Sequence, residues 1–100
     1  MRTYYERYFY VYIMSNHTRT VLYIGITSNL IKRVYEHKEG VVEGFTDTYK
    51  VHDLLYYEIF EDPYAALERE KQLKRWSRKK KNALIATMNS NLKDLYPTII

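Results

Sequence analysis

Tyr8-Phe9-Tyr10-Val11-Tyr12-Ile13-Met14 and Val21-Leu22-Tyr23-Ile24-Gly25-Ile26-Thr27 decide the fold. Both segments are rich in the aromatic and β-branched residues that suit a pleated surface, and both alternate with the period of two that a strand imposes. Phe9, Val11 and Ile13 share one face of the first, and Tyr8, Tyr10 and Tyr12 the other. In the second, Val21, Tyr23 and Gly25 alternate against Leu22, Ile24 and Ile26. The polar stretch 15–18 between them has turn chemistry, so the pair predicts a hairpin. Tyr23 and Gly25 then share a face. The missing side chain of Gly25 is expected to leave open space two residues beyond that tyrosine, where something else can approach the sheet.

Working outward, Thr27, Ser28 and Asn29 offer capping oxygens ahead of a helix over 30–38. Leu30, Ile31, Val34 and Tyr35 form its apolar stripe, and Gly40 ends it. At 100° per residue, Arg33 and His37 lie one turn apart along one edge of that stripe. The segment 40–49, with Gly44 and Thr46-Asp47-Thr48, reads as a polar loop. Residues 54–60, Leu-Leu-Tyr-Tyr-Glu-Ile-Phe, predict a third strand, apolar enough to be largely covered on both faces.

Asp62-Pro63 starts a helix that runs to about Arg75, the aspartate as N-cap and the proline in the first turn. Ala66, Leu67 and Leu73 define its inward face, and Glu70 falls between Ala66 and Leu73. A carboxylate facing inward is costly unless paired with a cation, so Glu70 is either the partner of a core arginine or a ligand. A last helix from 77 or 78 to 88 is expected to bury Ala83, Leu84, Thr87 and Met88. Asn89-Ser90-Asn91 ends it, and 92–100 is expected to fold back on the body.

At 100 residues the chain has the length of a single domain, 1–100, and there is no repeat or linker to divide it. Hydrophobic residues at 46% and charged ones at 28% are ordinary globular usage. With no cysteine there is no disulfide framework, zinc knuckle or thiol nucleophile, and a reducing cytoplasm fits. The segment 1–12 lacks the continuous apolar core of an export signal, and no stretch approaches the roughly 18 apolar residues of a membrane span. The expectation is a soluble, cytoplasmic protein with no membrane contact.

The net charge of +4 is unevenly spread. The window 69–81 holds Arg69, Lys71, Lys74, Arg75, Arg78, Lys79, Lys80 and Lys81 against the single acid Glu70. It therefore carries +7 and the rest of the chain −3. Such a run is either a solvated helical face or the electrostatic footprint of a nucleic-acid partner.

There is no glycine-rich phosphate loop, no pair of metal-spaced histidines and no serine nucleophile elbow. His17 in a turn and His52 beside a strand read as ordinary surface residues. What remains is Tyr12, Tyr23, Arg33, His37 and Glu70, a set suited to phosphodiester hydrolysis. That reaction needs an activated water, a cation for the charge of the transition state and support for the leaving oxygen.

At these residues the sequence resembles the GIY-YIG nuclease superfamily, and within it the small stand-alone proteins similar to the N-terminal domain of the excinuclease UvrC. The second signature triad stands as Tyr23-Ile24-Gly25, and the first as Tyr10-Val11-Tyr12 with tyrosine in place of glycine. The family's helical arginine corresponds to Arg33, its metal-binding glutamate to Glu70, and a recurrent asparagine beside the site to Asn82. Tyr35-Glu36-His37-Lys38, Phe45-Thr46 and the segment 70–76 are also similar to that subgroup, so the resemblance spans 8–96.

The resemblance implies an α+β fold, a three-stranded antiparallel sheet flanked by helices in the order β-β-α-β-α-α. It also implies a metal-dependent endonuclease that nicks or cuts DNA to leave 5′-phosphate and 3′-hydroxyl ends, in DNA repair or processing. Glu70 would hold one divalent ion, Mg²⁺ or Mn²⁺. Tyr23, with Tyr12, would orient the attacking water and take its proton. Arg33 would neutralise the phosphate, and His37 would assist proton transfer or contact phosphate. A phenol near pKa 10 is only about 0.1% ionised at pH 7, so that role requires a lowered pKa. Gly25 and Asn82 would support the site, and Lys71, Lys74, Arg75, Arg78, Lys79, Lys80 and Lys81 would hold the nucleic acid. A lone site predicts nicking by a monomer. The competing reading is a nucleic-acid-binding module that uses the basic 69–81 surface and cleaves feebly or not at all.

Overall fold

The computed structural model describes residues 7–41 and 44–100. Val42, Glu43, the side chains of Phe45 and Thr46, and the first half of the segment read for an export signal lie outside the described residues.

Three antiparallel strands form one sheet: β1 Phe9–Ser15, β2 Leu22–Thr27 and β3 Asp53–Phe60, in the order β2-β1-β3. The hairpin register sets Tyr12 opposite Gly25, Met14 opposite Tyr23 and Tyr10 opposite Thr27. On its other side Tyr12 faces Tyr57, and Tyr10 faces Ile59. Arg19 takes the left-handed conformation in the hairpin loop, with φ of 61°. There its guanidinium donates to the Asn16 and Leu92 carbonyls and pairs with Asp53 at 2.7 Å, tying the loop to β3 and to the C-terminal segment.

The expected helices follow, with two single turns added. α1 is Leu30–Lys38, α2 Phe45–Thr48, α3 Pro63–Arg75, α4 Arg78–Met88 and α5 Tyr96–Ile99. The side chains of Asn29, Asp62 and Ser77 each accept a backbone N–H of the helix they precede, as N-caps do. The loop 40–49 thus contains one helical turn, α2.

The alternation of β1 divides the core into two layers. Val11, Ile13, Ile24 and Leu55 pack with Ala66 and Leu73 of α3 and Ile85 of α4. On the opposite face Tyr12, Met14 and Leu54 pack with Leu30 and Val34 of α1, and with Leu95, Tyr96 and Ile99 of the returning C-terminal segment. That segment is fastened by Asp94, which accepts the backbone N–H groups of Leu54 and Tyr96 and pairs with Lys38.

Several inward faces differ from expectation. In α1, Leu30, Val34 and His37 are buried while Ile31 and Tyr35 are about half exposed. One sheet face and the short α5 cover only a stripe of spacing four and three, and His37 occupies its last position. In α3, Leu67 is exposed and only Ala66 and Leu73 are buried. In α4 the buried residue is Ile85, with Leu84 half-buried, whereas Ala83, Thr87 and Met88 face solvent. A basic helix that packs against β3 through Ile85 needs only one apolar ridge. β3 is buried at Leu54–Tyr56, and Ile59 near its far end is 56% exposed.

Candidate active site

Tyr12, Tyr23 and His37 converge between β1, β2 and α1. Ring centroids lie 6.3 Å apart for Tyr12 and Tyr23, 6.1 Å for Tyr12 and His37, and 5.7 Å for Tyr23 and His37. The Tyr12 hydroxyl is 3.4 Å from Nε2 of His37, the long end of hydrogen-bond range. Both groups are 2% exposed, and Tyr23 forms the more open side of the cluster.

Gly25 explains how Tyr12 fits. The space beside this glycine is filled by the Tyr12 ring, and a Cβ there would overlap the phenol hydroxyl. The open space expected at Gly25 is therefore occupied from within the hairpin, because the register brings Tyr12 directly opposite.

Burial sets the protonation states. It raises the Tyr12 hydroxyl well above the ordinary phenol range, and the neighbouring Tyr23 adds to this while Arg33 opposes it. Glu36 and Glu70 push it in the same direction as burial. Burial lowers His37 to about 4, Arg33 acting in the same direction and Glu36 against it. His37 is therefore a neutral imidazole at pH 7, and its buried Nδ1 has no hydrogen-bond partner among the described residues.

Arg33, on the same edge of α1 as His37, stays partly exposed and lies 3.6 Å from Glu36. It opens into a cleft of about 150 Å³ with Thr27, Ser28, Asn29, Lys32 and Glu36. Glu70 stands on α3, whose buried residues pack on the face of the sheet opposite Tyr12. Its side chain is 13% exposed, and its ion-pair partner is Lys74 one turn on, at 3.3 Å, rather than a core arginine. The core-facing arginine of α3 is Arg69, bound through two nitrogens to Glu58.

The remaining expected site residues lie apart from this cluster. Asn82 stands in a cleft of about 220 Å³ with Leu22, Leu55 and Ile85, on the α3–α4 side of the sheet, and its side-chain oxygen accepts from Arg78. Lys71, Arg75 and Lys79 are exposed, and Lys81 is half-buried. Lys80 lies 4.3 Å over the Trp76 ring, and Arg78 donates to the Arg19 and Thr20 carbonyls of the hairpin loop. Glu36 is the participant not named from the sequence as a site residue, although its place three residues after Arg33 and beside His37 was the available signal.

Among the described residues no group of three or more histidine, aspartate and glutamate side chains could enclose a metal. One largely covered carboxylate whose partner is an exposed lysine suits a hard cation that keeps several waters and completes its shell with substrate phosphate oxygens.

The family model of the GIY-YIG catalytic domain matches residues 8–83. A UPF0213 protein of the archaeon Natronomonas pharaonis is 39% identical over 77 residues, covering 77% of this chain and 89% of that one. A UPF0213 protein of Bacillus pumilus is 34% identical over 83 residues, covering 83% and 82%. The solution NMR structure of a UPF0213 protein from Bacillus halodurans aligns with a TM-score of 0.55 at 25% identity, over 84% of this chain and 88% of that one.

Proposed function

The chain belongs to the GIY-YIG catalytic domain family, a family of nucleases, and from that membership we propose that it is a metal-dependent endonuclease. It hydrolyses DNA phosphodiester bonds to leave a 5′-phosphate and a 3′-hydroxyl. The observation that carries this reading is the packing of two tyrosines around one neutral buried histidine, with the partly exposed Arg33 one turn away on α1.

Tyr23, on the open side of the cluster, orients the attacking water and takes its proton. Tyr12 does not share that step, because a phenol whose pKa is raised by burial stays protonated. It holds Tyr23 in place and links it to His37. His37 is too buried to touch phosphate and acts through Tyr12 as a positioning residue, its neutral ring offering a proton acceptor at pH 7. Arg33 presents a partly exposed fork of donors to the scissile phosphate. Glu70 would hold Mg²⁺ or Mn²⁺ after releasing Lys74, and the bound ion would supply Lewis-acid stabilisation of charge on the phosphate and leaving oxygens.

Conversion of supercoiled plasmid to nicked circles by wild type, Tyr23→Phe and Glu70→Ala tests this. With Mg²⁺ or Mn²⁺ present, wild type nicks and each variant is slower by about 10²-fold or more. Equal conversion by all three proteins, or conversion undiminished by EDTA, removes the proposal. Binding without any metal-dependent nicking would favour the nucleic-acid-binding module of the exposed 69–81 surface.

A further inference from the structure

Two residues along β1 from Tyr12, about 7 Å at strand rise, the same sheet face opens into a cleft of about 330 Å³ that the mechanism above does not use. Its floor is aromatic. Tyr10 and Tyr57 lie on it, neighbours of Tyr12 along the strand and across the register respectively. Its walls are Ile31 of α1, Ile59 of β3 and Ile99 of α5. Ile31 and Ile59 are 47% and 56% exposed, an apolar rim left uncovered on a chain otherwise rich in charge.

The cleft meets the site at one point. Ser28 and Asn29 border it, the Arg33 cleft, and a third depression of about 410 Å³ that includes Arg7. The Asn29 carboxamide oxygen is engaged by the Lys32 N–H, and the exposed Ser28 is a second polar side chain at the junction. Cations therefore stand on both sides, Lys32 and Arg33 on one and Arg7 on the other.

We propose that this cleft is a subsite for one nucleobase of the substrate strand, next to the scissile phosphate. Flat aromatic faces and aliphatic walls suit a base ring, Ser28 can meet its polar edge, and the flanking cations match the phosphates on either side of one nucleotide. A peptide or acyl chain would match the apolar walls but not the cations at both ends. The subsite rests on the reading that a nucleic-acid strand crosses the Tyr23–Arg33 site, and it adds that the nucleotide beside the cut is held by its base.

The test is amide NMR of the full chain without divalent metal, titrated with a thymidine trinucleotide, with the same trinucleotide abasic at its centre, and with thymidine monophosphate. The intact trinucleotide is expected to shift Tyr10, Ile31, Tyr57 and Ile59 together with Arg33, and the abasic form Lys32 and Arg33 only. The monophosphate is expected to bind the cleft more weakly than the trinucleotide. Tyr57→Leu and the exposed Ile31→Gln are each expected to weaken the intact trinucleotide about tenfold and leave the abasic form unchanged. The subsite is overturned if the abasic form moves the cleft residues equally, if both folded variants bind like wild type, or if the monophosphate binds as tightly as the trinucleotide. Shifts confined to Lys32 and Arg33 overturn the subsite and leave the nuclease reading standing. Base-dependent shifts in a protein that nicks no plasmid support the subsite and remove the nuclease reading.

Discussion

The Tyr12 hydroxyl and the His37 imidazole meet 3.4 Å apart, both residues 2% exposed, and among the described residues Nδ1 of the same imidazole has no hydrogen-bond partner. A histidine in that position is tolerated as the neutral ring and opposed as the cation, so the pair couples the fold to pH.

Its sign follows from the direction of the shift. In the unfolded chain His37 titrates near 6.5, and in the fold near 4. The folded state therefore binds its proton less readily, and stability is full above about pH 6.5 and falls as pH drops toward 4. Glu58 and Asp94 are held below the ordinary carboxylate range by hydrogen bonds that outweigh their burial, so their loss belongs to still lower pH. Urea unfolding at pH 7.5 and 4.5 is expected to show a drop for wild type and a flatter profile for His37→Leu. Equal drops would remove His37 as the origin.

Gly25→Ala is expected to destabilise by about 1–3 kcal/mol, because the new methyl group and the Tyr12 phenol claim the same volume. It should also move the His37 ring resonances and lower nicking. Gly44→Ala makes the control. With φ of +83° and nothing within 4 Å of the added Cβ, it costs about 1–2 kcal/mol through backbone strain and should leave the His37 ring resonances in place.

The basic helices separate into two kinds of residue. Lys79, Lys80 and Lys81 replaced by alanine should flatten the salt dependence of DNA binding, by about 0.9 in logarithmic slope for each residue that meets a phosphate. Arg78→Ala should instead lower the melting temperature by about 4–8 °C per kcal/mol lost, since its guanidinium holds the hairpin loop carbonyls. An unchanged salt slope in the triple variant would return that run to solvated surface.

Asp94→Ala removes acceptors from the Leu54 and Tyr96 N–H groups and leaves Lys38 with Asp53 and the His52 carbonyl. The expected cost is about 1–3 kcal/mol, with added exchange of amide protons in residues 92–100. Exchange confined to other segments would contradict the assignment of Asp94 as the fastener.

Much of this arrangement was legible in the residues themselves. Strict alternation in β1 and β2 fixes their faces, and Asp62-Pro63 and Asn29 fix where two helices begin, because these are local properties of the chain. The occupant of Gly25's space was not legible. Alternation says which way Tyr12 points, but only the hairpin register puts it opposite the glycine, and the register depends on the Asn16 and Arg19 loop bonds. His37 was placed on the edge of α1's stripe for a similar reason. How wide a stripe is buried depends on what covers it, and a sheet face plus one short turn at Tyr96–Ile99 covers little. Helical spacing turns Glu70 inward and sets Lys74 one turn on, so that pairing is also a local property of α3.

The C-terminal return has a consequence for biosynthesis. Leu95, Tyr96 and Ile99 complete the layer that contains Tyr12, Leu30 and Val34, yet they are made after everything they cover. Translation at roughly 5–20 residues per second separates α1 from that closing segment by about 3–12 s. During that interval the nascent chain exposes one side of its sheet. A chaperone that engages the emerging polypeptide would meet the tyrosine-lined layer as its last uncovered surface.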